Sequence, residues 1–424
     1  MDWLTGRLPL RGVRVIDWSV YWAGPYLSMM LHDLGAEVIK VESPSSWDPM
    51  RTIIDVNRGV RGTQRPMTPQ ERCNINQHFN EWNRGKLGLG IELREERGRH
   101  VLLDLIAHSD IFVENHRPHV KEKLGITYED LKKVNPGLIY LSLSGYGQTQ
   151  PDRDAMALGS PVEVASGLFA MNGYLDDPTP AKTGFSYGDP VGALTAAGAV
   201  LMAVRKRRRT GEGSCWDIAL RDALSFGIGA AFTDWSMNSA VRPHRGNRHP
   251  VYAPQGVYRA FGEDEWVAIS VRGDDEWERL AGAIGLPDRP EFATADRRRE
   301  RHDEIDGLLE TWTRGRIARE VEVQLQAEGV PAAAVLNYRQ LRRDPQLNAR
   351  GMFREITHPA FGREVRSASI WERGQLAPPI DLPAPMFGQH NHEILTRVLD
   401  MGPDKIEELE RTGVLGDEIL AAAD

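Results

Sequence analysis

Residues 14–41 read RVIDWSVYWAGPYLSMMLHDLGAEVIKV. Two short β-branched runs, Arg14 to Asp17 and Glu37 to Val41, flank an apolar stretch of helical length from Tyr26 to Leu34. Strand, helix and strand in that order are the signature of a βαβ unit. The alternation continues downstream. Gly98 to His108 is amphipathic at helical spacing and leads into the strand-like Ile111 to Val113, while Thr127 and Asp130 have the spacing of a capping box. A short helix is expected there, followed by a strand over Leu138 to Leu143. This βαβα order predicts an α/β fold with a parallel sheet covered by helices.

Asp48 to Phe79 is polar and weakly periodic, and reads as a long surface excursion. Composition shifts again over Arg242 to Pro254, which reads as a linker into a second unit. There Glu265 to Val271 is strand-like, Asp274 to Ile284 helical, and Arg298 to Glu328 a long charged helical region. From about Arg350 short strands and Pro-rich turns return, with a helical tail after Gly388. The expected partition is 1–224, a linker over 225–250, a smaller α/β domain over 251–345, and a segment over 346–424.

With 424 residues, 41% hydrophobic and 26% charged, the chain has material for two or three ordinary globular domains. A formal net charge of -8 gives no electrostatic reason to expect nucleic acid or an anionic membrane as partner. Cys73 and Cys215 are too few for a disulfide framework and lack metal-site spacing. The start lacks a basic segment followed by a long apolar one, and no apolar run approaches the ~20 residues of a membrane span. A cytoplasmic, reducing compartment is the expectation.

The stretch Tyr187 to Gly213, YGDPVGALTAAGAVLMAVRKRRRTGEG, carries the first chemical signal. Asp189-Pro190 before an apolar run reads as a helix cap plus first helical residue. Gly192, Ala193, Ala196, Ala197, Gly198 and Ala199 leave the first turns nearly bare, so another group can approach that backbone closely. Asp189 is then either a simple cap or a reactive carboxylate at the mouth of the helix. Arg205 to Arg209 fits a favourable basic last turn before Gly211 better than a nucleic-acid patch.

The glycine-rich phosphate loops are absent, as is a G-x-S-x-G elbow. Instead the first strand runs into Trp18 to Pro25, where Tyr21 and Trp22 either face an adenine ring or pack the core. Asn115, His116 and Arg117 follow another strand, with Lys123 one or two turns on. Their cations suit phosphates or a solvated loop equally. His390 and His392 have no further ligands at metal-binding spacing, so no metal is expected.

Several segments in collinear order resemble the family III CoA-transferases, the CaiB/BaiF type. They are LRGVRVIDW, AGPY, LGAEVIKVE, FNEWNRGKLGLGIEL, DIFVENHRP, LGITYEDLKKVNPGLIYLSLSGYGQ, GDPVGAL and GAVLMAVRKRRRTGEG, between Leu8 and Leu224. Weaker matches follow in GVYRAFGEDEWVAISV, EGVPAAAVLN, DPQLNARGMF and PMFGQHNHEIL. The resemblance implies a large Rossmann-like domain completed by the C-terminal segment, a smaller domain between, and two chains interlocked as a dimer, identical or heteromeric. It implies coenzyme A as co-substrate, with an acyl-CoA and a carboxylic acid as partners. Asp189 takes the position of the family's catalytic Asp, which forms a mixed anhydride and then an aspartyl-CoA thioester. CoA-contact positions carry over to Trp22 and Ala23, to Ile91, Glu92, Leu93 and Arg94, and to Asn115, His116 and Arg117. Lys123 stands where the family has Arg, keeping the charge without the bidentate fork.

Three departures bear on substrate. Ser43 replaces an Arg after the EVIKVE-type strand, Leu158-Gly-Ser-Pro161 replaces a Tyr-bearing stretch, and GNRHPVYAPQG lacks the glycine run of the formate- and oxalate-handling branch. The rival α-methylacyl-CoA racemase branch needs a His-Asp pair after the GYGQ loop, and Asp154 to Ser160 contains no His. A non-catalytic acyl-CoA-binding subunit of a heteromeric transferase is the third reading, against which an intact Asp189 speaks.

Overall fold

The computed structural model of the chain describes residues 8–52, 68–149, 151–157, 159–241, 243–360, 362–371 and 382–420. Outside them lie the chain start, residues 53–67 of the polar excursion, Leu158, and Arg242 of the linker. Six strands form one sheet: β1 (Arg14–Trp18), β2 (Glu37–Glu42), β3 (Leu87–Gly90), β4 (Ile111–Glu114), β5 (Ile139–Ser144) and β6 (Ser214–Ala219). Every pairing is parallel, in the order β3-β2-β1-β4-β5-β6. Strand order therefore reverses between β1 and β4, which opens a crevice at their carboxyl ends.

Side chains alternate across the pleat, and here both faces are buried. Val15, Ile111, Val113, Ile139 and Leu141 enter one core, with Leu27 and Leu31 of the Ala23–Asp33 helix and Ala193, Ala196 and Val200 of the Gly188–Thr210 helix. Ile16, Ile39, Phe112 and Tyr140 enter the other, under Leu102 and Leu105 of the Glu96–Ala107 helix. Ile394 and Leu395 of the Asn391–Leu399 helix close that second core.

Contact density divides the chain into two units: residues 1–168, 184–233 and 349–424, and residues 169–183 with 234–348. Residues 169–183, which the sequence reading keeps within 1–224, thus fall in the second unit. There Asn172 and Ala181 pair through their backbones at 2.9 Å, and His244 Nε2 meets the Asp177 carbonyl at 2.7 Å. The second unit contains an antiparallel sheet of β7 (Gln255–Arg259), β8 (Trp266–Ser270) and β9 (Ala332–Val335). Trp277, Leu280, Leu309, Val321 and Leu325 pack against its buried Val267 and Ile269.

Two expectations are corrected. The long helical region over Arg298 to Glu328 is divided among the helices Ala295–Glu300, His302–Thr313 and Ala318–Ala327. Arg301 leaves helical geometry between the first two, and Ile317 is extended at the start of the third. Parts of the described ends of the polar excursion are not on the surface either. Asp48 and Arg51 are fully buried, with Arg51 paired to Glu42 at 2.7 Å and lying over the Phe79 ring. Polar composition there reflects charges satisfied internally, which a hydropathy pattern cannot distinguish from solvation.

Candidate active site

The loop after β1 is held by buried charge. Asp17 accepts hydrogen bonds from Ser28 Oγ at 2.6 Å and Lys86 Nζ at 2.8 Å, all three groups being enclosed. Burial alone would raise Asp17, but Lys86 and Lys40 more than offset it, and the carboxyl titrates well below its ordinary range. Lys40 reaches the Ser19 carbonyl and Asp48, and Asp48 Oδ1 in turn accepts the Tyr21 N–H at 2.9 Å. Tyr21 has φ +64°, a left-handed conformation that a β-carbon disfavours, so this clamp fixes a strained residue. Asn115 joins the loops after β1 and β4. Its amide takes the Val20 N–H at 2.8 Å and donates to the Val20 carbonyl at 2.7 Å.

These loops, together with Asp189, line a cavity of about 460 Å³ in the first unit. Tyr21, Trp22, Ala23, Asn115, His116 and Arg117 are all on its wall. Trp22 stacks on Trp82 with ring centroids 4.7 Å apart, so one of its flat faces is covered by protein, and Phe185 packs edge-on at 4.9 Å. His116 lies against Trp18 at 4.0 Å, and burial, reinforced by Lys40, lowers its pKa to about 3. It is a neutral imidazole at physiological pH. Its Nε2 and the Trp22 indole nitrogen are buried without hydrogen-bond partners among the described residues.

Asp189 is the second residue of the Gly188–Thr210 helix, and Tyr187 occupies the cap position. The expectation that Asp189 is the cap is corrected. The capping is done by Glu163, a fully buried residue of the Gly159–Ala165 helix, whose Oε1 accepts the N–H groups of Tyr187 and, at 3.4 Å, Gly188. The Asp189 carboxylate instead lies under the influence of the Ala23 N–H, at the start of the Ala23–Asp33 helix, and of its own backbone N–H, both of which favour its charged form. Burial raises its pKa to about 6, the Ala23 N–H opposing and the Glu163 charge adding to the rise. Burial therefore dominates its titration, although the group remains mostly ionised at pH 7.

Most backbone donors of this helix start are engaged. Gly188 donates to Glu163, Pro190 has no N–H, and Val191 bonds the Tyr187 carbonyl. Gly159 explains the close approach of the neighbouring helix. A β-carbon there would stand 3.0 Å from Asp189 Oδ2 and 2.7 Å from Ser186 Oγ.

Ile91 to Arg94 and Lys123 are not on this cavity's wall. The former follow β3, on the carboxyl side of the same sheet: Ile91 bridges Leu415, Leu93 N–H bonds Ser43 Oγ at 3.2 Å, and Arg94 is exposed. Ser43, one of the family departures, thus ties a turn. Lys123 is exposed on the Pro118–Leu124 helix. Sequence reading missed Glu163, Arg153 and Trp82. For Glu163 a signal existed, a lone acid within the apolar run Pro161 to Ala165. His390 and His392 have structural partners, the Gly88 N–H at 3.0 Å and Glu410 at 2.8 Å. Among the described residues no helix is long and apolar enough to cross a membrane.

The chain is similar over nearly its whole length to characterised transferases. Succinyl-CoA–D-citramalate CoA-transferase of Chloroflexus aurantiacus is 33% identical over 411 residues, covering 96% of this chain and 98% of the relative. The beta subunit of succinyl-CoA–L-malate CoA-transferase from the same organism is 30% identical, covering 98% and 100%. Among solved structures, a CaiB/BaiF family protein from Brucella suis superposes with a TM-score of 0.82 at 28% identity, covering 92% of this chain and 100% of that one. The family model for CoA-transferase family III matches residues 10–391, and the chain belongs to that family.

Proposed function

We propose that Asp189 is the covalent nucleophile through which this enzyme moves CoA from an acyl-CoA thioester to a free carboxylic acid. The observation that carries the reading is the position of its carboxylate, on a cavity wall where two helices begin and with a pKa near 6. Such a group is ionised at pH 7 yet more basic than an ordinary Asp, which favours attack. Asp189 Oδ attacks the thioester carbonyl, the C–S bond breaks, and CoA leaves as thiolate beside a mixed anhydride. The thiolate attacks the Asp189 carboxyl carbon, releasing the donor acid and leaving an aspartyl-CoA thioester. The acceptor carboxylate attacks that thioester, and the thiolate then attacks the acceptor's acyl carbon, regenerating Asp189. No step needs an external oxidant or energy source.

Anhydrides are destroyed by water, so enclosure is part of the chemistry. Leu143, Met156, Ala157 and Leu220 supply an apolar flank to the cavity. The neutral His116 Nε2 and the Trp22 indole N–H are an acceptor and a donor suited to the amides of a pantetheine arm. Arg117 and Arg153, also on the wall, suit phosphate or carboxylate, and the citramalate- and malate-dependent relatives suggest a hydroxy-dicarboxylic acid as acceptor. Ile91 to Arg94 and Lys123 are proposed to meet more distal parts of CoA.

A second chain is proposed to cover Leu194, Leu201 and Met202 of the Gly188–Thr210 helix and the nearby Phe226, which is 89% exposed. A row of apolar side chains on one helical face is expensive to leave in water. The partner chain is either a second copy or, as in the malate enzyme's subunits, a related chain.

The direct test is Asp189→Ala, assayed for CoA exchange with succinyl-CoA and dicarboxylic acids. Exchange is expected to vanish while CoA binding, followed by calorimetry, persists. Undiminished exchange in that variant would eliminate the assignment.

A further inference from the structure

We infer that Glu163 is a positioning residue for Asp189: by capping the Gly188–Thr210 helix it leaves the Asp189 carboxylate free to meet the acyl carbon. The inference rests on the nucleophile reading above and names what makes that reading work. A helix start leaves several N–H groups without intrahelical partners, and an acid in its first turn ordinarily folds back onto them. Asp189 sits in that turn, immediately after the N–H groups of Tyr187 and Gly188. Glu163 Oε1 already holds both.

The arrangement is built from one short helix used twice. Gly159 and Glu163 are four residues apart on the Gly159–Ala165 helix and so lie on one face. Gly159 lets that face approach Asp189 Oδ2, and one turn later Glu163 reaches the helix start beside it. Glu163 is fully buried, and its Oε2 has no hydrogen-bond partner among the described residues. A buried carboxylate with an unused oxygen is costly for a cap that serine or asparagine performs at the N-cap itself. The charge has a use beyond capping, because it adds to the elevation of the nearby Asp189.

The other groups facing Asp189 do not replace it. The Ala23–Asp33 helix offers the Ala23 N–H, the Ser186 side chain is neutral, and His116 is uncharged. Arg117 at the start of the Pro118–Leu124 helix and Arg153 share the cavity wall, but neither contributes to the shift of Asp189.

Two variants separate capping from charge. Glu163→Gln retains a capping oxygen and removes the charge. Its kcat is expected to fall less than that of Glu163→Ala, while the acid limb of kcat/KM moves to lower pH. Glu163→Ala removes the cap, and kcat is expected to fall between about tenfold and a hundredfold through misplacement of Asp189, with the Kd for CoA unchanged. An unmoved acid limb in Glu163→Gln, or undiminished kcat in a folded Glu163→Ala, overturns the inference. Should Glu163→Ala not fold, the limb of Glu163→Gln decides alone. Asp189→Asn serves as the control: if it retains exchange, the nucleophile reading itself fails. If it is inactive and Glu163 variants match the parent in both measures, only the positioning role fails.

Discussion

As the proposed nucleophile, Asp189 meets two demands that usually conflict, since a buried carboxylate resists ionisation and a nucleophile must be ionised. A pKa near 6 meets both, and it fixes a pH dependence. Activity should fall as pH drops through about 6, a limb readable in kcat/KM for the free enzyme. A limb near pH 4 would mean that the carboxyl is not enclosed. The same shift has a stability consequence. The folded state holds the proton more tightly than the unfolded chain, so this group opposes folding as pH rises from the ordinary value of 3.8 through about 6. Asp189→Asn should therefore stabilise the ligand-free protein at pH 7 by about 1–3 kcal/mol, discounted for partial exposure, and by little at pH 4. Equal melting shifts at both pH values would contradict this. The sequence made Asp189 visible through the Asp-Pro start and the bare helix behind it. It could not reveal that capping belongs to Glu163, because that contact spans 25 residues and leaves no local pattern.

At the scale of elements, the alternation of β-branched runs and helical stretches identified β1, β2, β4 and β5 to within a residue or two. The reason is that each of β1, β4 and β5 sends apolar side chains into two cores, which leaves short β-branched or apolar runs in the sequence. The polar stretch after β2 was misread for the converse reason, since Asp48 and Arg51 are buried by pairing rather than by apolarity. The loop after β1 depends on such pairings, and its tie to β4 is the Asn115 side chain. Asn115→Ala removes both bonds to Val20 and releases the Tyr21 to Ala23 wall. CoA affinity should weaken by about tenfold, or about 1.4 kcal/mol, part of the roughly 2 kcal/mol held by the two bonds, and the melting temperature should fall. Calorimetric titration of CoA reads the first effect, and an unchanged Kd would show that the loop is held without Asn115.

Across the whole molecule, the C-terminal segment packs on the β3 edge and one face of a sheet begun some 300 residues earlier. Asn391 accepts the Gly90 N–H at 2.9 Å and donates to the Gly416 carbonyl at 3.0 Å, while Ile394 and Leu395 fill the core beneath. No periodicity announces such a closure; it was anticipated through family resemblance alone. The apolar face at Leu194, Leu201 and Met202 is a second feature of this scale. Met202→Glu should shift the enzyme toward monomers in sedimentation velocity, whereas an unaltered sedimentation coefficient would place any interface elsewhere. Covalent catalysis by one carboxylate leaves a trace in the enzyme incubated with acyl-CoA alone, quenched with hydroxylamine and digested: mass spectrometry should find a hydroxamate on Asp189. An active enzyme whose Asp189 peptide stays unmodified, or that is modified at another residue, rules out covalent catalysis at this position.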